Sequence, residues 1–348
     1  MLPQHSALAK LGVPLTISPM EAQLVEELPE TGDWQYEPKW DGFRCLAFKA
    51  GDEVELRSKS GKSLSRFFPE IVSALAELPE KRFILDGELV ISVDGELSFD
   101  SLQMRLHPAI SRIERLSRET PAGLIAFDCL LTPAGRSIVD QPFSFRRSAL
   151  ESFISKIGMD AKRSILISPF TRDRRQAKRW LTSRQTAIDG IVAKRLELPY
   201  MPGKRAMLKI KHLRTADCVV GGFRYEAGRK VVGSLLLGLY GEDGLLHHVG
   251  FTSALSDADK PGLTEKLEKL IKEPGFTGNA PGGPSSWSSE RSAQWKPLRP
   301  ALVVEVKYDH ITGGRFRHGT RLLRWRPDKA PRQCTFEQLP HPTKLVIA

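Results

Sequence analysis

The hydrophobic pattern of this chain changes period once, just after Lys211, and no other feature limits the fold as strongly. Before that point short β-like runs alternate with helical spacing. Trp34 to Phe48 and Val54 to Ser58 read as a hairpin turning at Ala50-Gly51-Asp52. A helix follows, with Phe68, Ile71, Val72, Leu75 and Leu78 on its apolar face. Further strands are expected at Phe83–Ser92, Leu124–Leu131, Ile188–Lys194 and Met207–Lys211, and helices at Phe145–Ile157 and Arg174–Arg184. After Lys211, the runs Ala216–Phe223, Ser234–Tyr240, Leu245–Phe251 and Ala301–Tyr308 are β-rich, with a turn at Gly241-Glu242-Asp243-Gly244. One helix interrupts them, carrying Leu263, Leu267, Leu270 and Ile271 and capped by Ser256 or Asp257. A loop rich in Gly, Pro and Ser runs from Gly275 to Ser289.

A chain of 348 residues exceeds what one core comfortably serves. The pattern therefore predicts an α+β domain of antiparallel sheets with flanking helices over 1–212. An all-β, OB-like barrel of about five strands and one helix follows over 213–348, with the boundary near His212–Ala216. With 41% hydrophobic and 27% charged residues the chain is globular throughout. It has no apolar run long enough to span a bilayer and no secretory-type start, so we expect a soluble, cytoplasmic protein without a membrane partner. Lys and Arg outnumber Asp and Glu by 52 to 41, which points to a polyanionic partner, nucleic acid first. Cys45, Cys129, Cys218 and Cys334 lie too far apart for a zinc half-site, so any metal would take oxygen ligands.

Four groups of residues could carry chemistry. In Glu37-Pro38-Lys39-Trp40-Asp41-Gly42-Phe43-Arg44 the proline and the Asp-Gly pair place Lys39 in a loop entering a strand. A lysine held there beside other cations can lose its proton near neutral pH and act as a nucleophile. Leu208-Lys209-Ile210-Lys211 puts two lysines on one strand face, an arrangement suited to a phosphate between them. Asp86-Gly87-Glu88, Asp128 and Asp189-Gly190 are carboxylates at the ends of apolar strands, suited to Mg2+ shared with a nucleotide. Finally, Arg315 to Arg332 holds seven basic residues and one acid, with Phe316 and Trp325 interleaved, and Lys162 to Arg184 holds eight and one. Such segments suit a phosphate backbone, although a solvated helix face explains the second equally well.

Taken in order, these motifs resemble those of the covalent nucleotidyltransferases, most closely the small ATP-dependent bacterial DNA ligases and the ligase module of the bacterial end-joining enzyme. The resemblance runs from Pro19 to Cys334. It rests on Lys39-x-Asp41-Gly42-x-Arg44, Asp86-Gly87-Glu88, Phe127-Asp128, Asp189 to Lys194, Lys209-x-Lys211 and Arg326-x-Asp328-Lys329. It implies a nucleotidyltransferase domain followed by an OB fold, and a lysyl-AMP intermediate formed on Lys39 from ATP. It further implies charge stabilisation by Lys209 and Lys211, whose field would help to keep Lys39 deprotonated, and a ribose contact from Glu88. Phe127 would stack on adenine, with backbone groups near Glu37 reading its edge. Lys59 and Lys194 would join the nucleotide site, and Glu88 and Asp189 would hold Mg2+ or Mn2+. Arg44 would grip a phosphate, and Arg326 with Lys329 would orient the leaving pyrophosphate. The implied partner is nicked duplex DNA; we also expect other repair proteins, such as a polymerase or an end-binding protein, as partners, and a monomer.

Three positions depart from the family pattern. Lys59 stands where arginine is common and cannot make a bidentate contact. Asp189 replaces a glutamate that is one methylene longer, and Met207 stands in a tryptophan position. Two rival readings stay open at this level: an RNA ligase or capping guanylyltransferase of the same superfamily, and a catalytically inactive DNA-binding repair protein.

Overall fold

The computed structural model describes residues 6–182, 188–211, 214–282, 294–309 and 311–339. The end of the expected Gly/Pro/Ser loop, Arg184, and residues 212 and 213 of the expected pivot lie outside them. The chain divides into two compact units, Met1–His212 and Leu213–His341, each taken by itself below. No helix among the described residues is long and apolar enough to cross a membrane.

The first unit contains two sheets. One has the strand order Ala22–Leu24, Met207–Lys211, Gly190–Arg195, Trp34–Pro38. The other runs Glu53–Ser58, Phe43–Ala50, Arg82–Val93, Ala122–Leu131, Ile165–Ile167, with Glu96–Leu97 beside Arg82–Val93. Pairing is antiparallel except for the short first strand on Met207–Lys211 and Ile165–Ile167 on its neighbour. Those two strands are too short for a sequence signal. The larger sheet is apolar on both faces. Cys45 and Ala47 join Leu85, Leu124 and Phe153 on one side, while Leu46 and Phe48 meet Leu8, Tyr200 and Met207 on the other. This is the period-two alternation of a strand covered on both sides.

The single strand expected over Trp34–Phe48 is two strands in different sheets. The chain leaves the first sheet after Pro38 and enters the second at Phe43. Asp41-Gly42 does more than turn the backbone. A Cβ at Gly42 would lie 2.2 Å from the Leu89 carbonyl oxygen, so only glycine allows the crossing. The helices match the expected positions closely, at Pro69–Ala76, Phe143–Lys156 and Arg174–Thr182.

The second unit is built on five antiparallel neighbours in the order Leu246–Thr252, Val232–Tyr240, Arg214–Tyr225, Val303–Tyr308, Arg321–Trp325. A bridge between Thr252 and Thr320 links the two outer strands, closing the sheet towards a barrel. Val219, Leu235, Leu237, Val249, Val304 and Val306 fill its interior. The helix Lys260–Glu268 begins later than expected, with Asp259 at its N-cap rather than Ser256 or Asp257. Instead the Asp257 carboxylate accepts from Lys260 Nζ at 2.5 Å, and Leu270 and Ile271 lie past the helix end.

Candidate active site

The crossing from one sheet to the other presents Lys39 at a cleft of about 270 Å3 in the first unit. Its backbone is clamped. The Lys39 N–H donates to the Gly190 carbonyl at 2.8 Å, and the Asp189 N–H donates to the Lys39 carbonyl at 3.0 Å. Gly190 sits at φ +145° with its Cα against the Ile210 carbonyl, where a Cβ would come within 2.1 Å. The Lys39 loop is thereby fixed to the strand that follows Asp189.

Glu37, Lys39, Arg44, Lys59, Glu88, Phe127, Lys194 and Lys209 all line this cleft, with Met20, Glu21, Trp40 and Met207 among the other lining residues. Lys211 is on the same strand but off the cleft, and Asp189 reaches it through Lys39. Arg326 and Lys329 belong to the second unit, where both rest on the carboxylate of Asp217.

The electrostatics correct one expectation. Lys39 does not have a lowered pKa. Burial pulls in that direction, but the Asp189 carboxylate accepts a hydrogen bond from Nζ at 2.5 Å, with Asp41 and Glu88 behind it, and the net effect favours the ammonium. The lysine held below its ordinary value is Lys209, through burial and the charges of Lys39, Lys211, Lys59 and Arg205. Burial also lowers Lys194, although Glu37 accepts from its Nζ at 2.9 Å and opposes the shift. Glu88 is pushed up to about 7 by burial and by the nearby carboxylates Asp86 and Asp41, against the pull of Arg44 and Lys39.

Arg44 is held on both sides. Its Nε and Nη2 donate to the two oxygens of Asp86 at 2.6 Å, and Nη2 also donates to the Met20 carbonyl at 3.2 Å. Asp86 is fully buried and accepts a third hydrogen bond from the Tyr200 hydroxyl at 2.6 Å. The guanidinium lies 4.5 Å from the Phe127 ring centroid, and Lys194 Nζ lies 4.4 Å from the same centroid. Glu37 also accepts from Gln35 at 2.9 Å and faces Arg147. Lys59 pairs with Glu21 at 3.1 Å.

Asp128 leaves the set of candidate metal carboxylates. Both its oxygens accept from the buried Arg146, at 2.8 and 3.0 Å, which makes it a structural partner. Tyr200, Arg146, Arg147 and Glu21 were not found by sequence reasoning, because each acts through a partner distant in sequence. Among the described residues no three His, Cys, Asp or Glu side chains gather as a ready-made metal cage. A Mg2+ ion, however, needs only one or two carboxylates beside a nucleotide's phosphates and water. Of the three carboxylates around Lys39, namely Asp41, Glu88 and Asp189, the pair Glu88 and Asp189 fits that smaller demand.

Comparison with known proteins identifies the family. Residues 19–211 match the ATP dependent DNA ligase domain, and residues 228–329 match the ATP dependent DNA ligase C terminal region. The chain is 44% identical to DNA ligase C of Mycobacterium tuberculosis, over 95% of this chain and 96% of that protein. It is 31% identical to the multifunctional non-homologous end joining DNA repair protein LigD of the same species, over 88% of this chain and 38% of that longer protein. A solved Lig E DNA ligase shares the fold, with a TM-score of 0.53 at 16% identity, covering 88% of this chain and 99% of that one. The chain belongs to the ATP-dependent DNA ligases.

Proposed function

We propose that this chain seals nicks between a 5′-phosphate and a 3′-hydroxyl in duplex DNA, with residues 1–212 carrying the adenylation chemistry and 213–348 serving as the OB domain. The observation that carries the residue assignment is Lys39. It is clamped by its backbone at a cleft that also gathers Glu37, Glu88, Phe127, Lys194 and Lys209. Lys39 Nζ attacks the α-phosphate of ATP. The N–P bond forms, the bond to the bridging oxygen breaks, and pyrophosphate leaves with the electron pair. Because the ammonium, paired with Asp189 at 2.5 Å, is the favoured state here, its proton must be given up before the attack. Lys209 faces the phosphate that gains charge and Arg44 holds a phosphate, while Arg326 and Lys329 orient the leaving group.

The base lies against Phe127, with the Glu37–Lys194 pair at its edge, and Glu88 and Lys59 are assigned to the ribose side. Mg2+ or Mn2+ held by Glu88 and Asp189 would neutralise phosphate charge. In the second step a 5′-phosphate oxygen displaces Lys39 from AMP, and the amine regains its proton. In the third the 3′-hydroxyl attacks that phosphate and AMP leaves. The likeness to an end-joining DNA repair protein supports a role in DNA repair; a polymerase or end-binding partner, a monomeric state and a cytoplasmic location are part of the same proposal.

The test is incubation with α-labelled ATP, GTP or NAD and a divalent metal. We expect an adduct from ATP alone, absent in Lys39→Ala and discharged by nicked duplex. An adduct that persists in Lys39→Ala refutes the assignment, and labelling by GTP instead would make the chain a guanylyltransferase.

A further inference from the structure

In the second unit three charged side chains converge on one point. Asp217 lies on the strand Arg214–Tyr225, and its carboxylate accepts from Arg326 Nη1 at 2.9 and 3.1 Å and from Lys329 Nζ at 2.7 Å. Asp328 takes the other side of the guanidinium, accepting from Nε and Nη2 at 2.8–3.1 Å. Asp217 is itself fixed. Its backbone N–H donates to Gln338 Oε1 at 2.7 Å, and its carbonyl accepts from Gln338 Nε2 at 3.0 Å, so one amide side chain pairs with the peptide groups on both sides of its Cα. Arg326 is anchored through its N–H to the Val303 carbonyl, and the Lys329 N–H closes a turn onto the Arg326 carbonyl.

These ion pairs are part-buried, with the side chains of Asp217, Arg326 and Lys329 13%, 18% and 23% exposed, so desolvation offsets much of their attraction and they add little to stability. What the convergence does achieve is geometric. Two long cationic side chains that would otherwise repel and splay are held side by side on one carboxylate, and their rotamer entropy is lost before any ligand arrives. The guanidinium keeps an N–H on each Nη, and the ammonium keeps two, that none of these carboxylates uses. Two adjacent cations with spare donors match the oxygens of a pyrophosphate.

We infer that Asp217 is the positioning residue for Arg326 and Lys329, holding the two as one pyrophosphate-binding pair that serves the adenylation step and not the sealing step. This rests on the reading of Arg326 and Lys329 given under Proposed function. Asp217 touches neither substrate nor reacting atom. It acts through the two cations, and Gln338 acts through Asp217.

The test uses the full chain and separates the two half-reactions. Formation of the lysyl-AMP adduct is followed in single turnover across ATP concentrations. Sealing is followed separately on a nicked duplex that already carries 5′-AMP, without ATP. Asp217→Asn keeps the shape and removes the charge. It is expected to slow adenylation at saturating ATP by about 30-fold while sealing of the adenylated nick stays within about threefold. Asp217→Glu should recover part of the loss, and Gln338→Ala should produce a smaller loss of the same kind.

Adenylation within about threefold of the parent in Asp217→Asn overturns the inference. An equal fall in both half-reactions together with a lowered melting temperature also overturns it, since that is a structural role. Arg326→Ala separates this failure from failure of the underlying reading. If it slows adenylation and Asp217→Asn does not, only the role of Asp217 falls. If it leaves adenylation unchanged while Lys39→Ala abolishes it, the reading of Arg326 falls, and the role of Asp217 with it.

Discussion

Lys39 stands at the cleft as an ammonium paired with Asp189, so the nucleophile proposed for this site has first to lose a proton. The neighbouring residues that look similar in sequence behave differently because their partners differ. Asp189 faces the lysine proposed as the nucleophile, whereas Asp128 faces a wholly buried arginine. Arg146 is wholly buried and also donates to the carbonyls of Gln141 and Leu198, so removing its carboxylate strands a charge in the core. Asp128→Ala is therefore expected to cost the first unit about 3–5 kcal/mol in urea unfolding. A loss of metal-dependent adenylation without loss of stability would return Asp128 to the metal site. Gly42 makes a second demand at this scale. With the Leu89 carbonyl 2.2 Å from its missing Cβ, Gly42→Ala must displace the strand that carries Glu88. We expect adenylation to fall at least about tenfold with the midpoint of unfolding lowered as well. Unchanged melting and activity would show that the crossing has room to spare.

At the scale of elements, sequence periodicity located most strands and helices but could not assign strands to sheets. Trp34–Phe48 reads as one arm of a hairpin with Lys39 in a loop, and nothing local assigns the two sides of that loop to different sheets. Only the three-dimensional pairing of Glu37 with Val192 and of Arg44 with Glu88 shows that the motif bridges two sheets. The lysines of the cleft were legible for a simpler reason: Lys39, Lys209 and their neighbours form compact local patterns. Tyr200, Asp86 in its role as a clamp, and Arg147 were not, since their partners lie far away in sequence. His248 in the strand Leu246–Thr252 is another group whose behaviour depends on packing. It is 6% exposed, its Nδ1 accepts from Arg315 Nη2 at 2.9 Å, and its ring packs edge-on against Phe276. Burial, with the charges of Arg315 and Arg224, lowers its pKa to about 3, so it is neutral in the folded unit. Between its ordinary value near 6.5 and about 3, the unfolded chain binds a proton that the folded chain refuses. The stabilisation is complete above the ordinary value and declines as pH falls. At pH 5 the loss is about 2 kcal/mol, at roughly 1.4 kcal/mol per pH unit. Urea unfolding of the second unit at pH 5 and 7 should show this drop in the parent and a flatter response in His248→Gln. Parallel declines in the two proteins would place the acid sensitivity elsewhere.

For the whole molecule, a net charge of +11 gives a rough guide to affinity for DNA, because many of the cations already have partners. Arg324 donates to Glu305, Arg326 and Lys329 to Asp217, and Arg174 to Glu30. Both basic segments are thus partly neutralised within their own units, and the number of phosphates they can engage is smaller than the number of Lys and Arg they contain. Binding of a nicked duplex releases counterions in proportion to the phosphates contacted, with a slope in log–log form of about −0.9 for each. We expect about four to six phosphates to be neutralised, so that affinity falls roughly 10²–10³-fold between about 50 and 200 mM salt. The measurement uses Lys39→Ala without ATP, which keeps the duplex chemically intact while the binding surface is unchanged. A slope near −4 to −5 supports recognition by a limited set of unpaired cations. A slope near −10 would mean that the internal ion pairs open on DNA, Asp217 included, and that the pyrophosphate pair is shared with the phosphate backbone. A flat response would remove electrostatics as the main source of affinity and leave groove contacts to carry it.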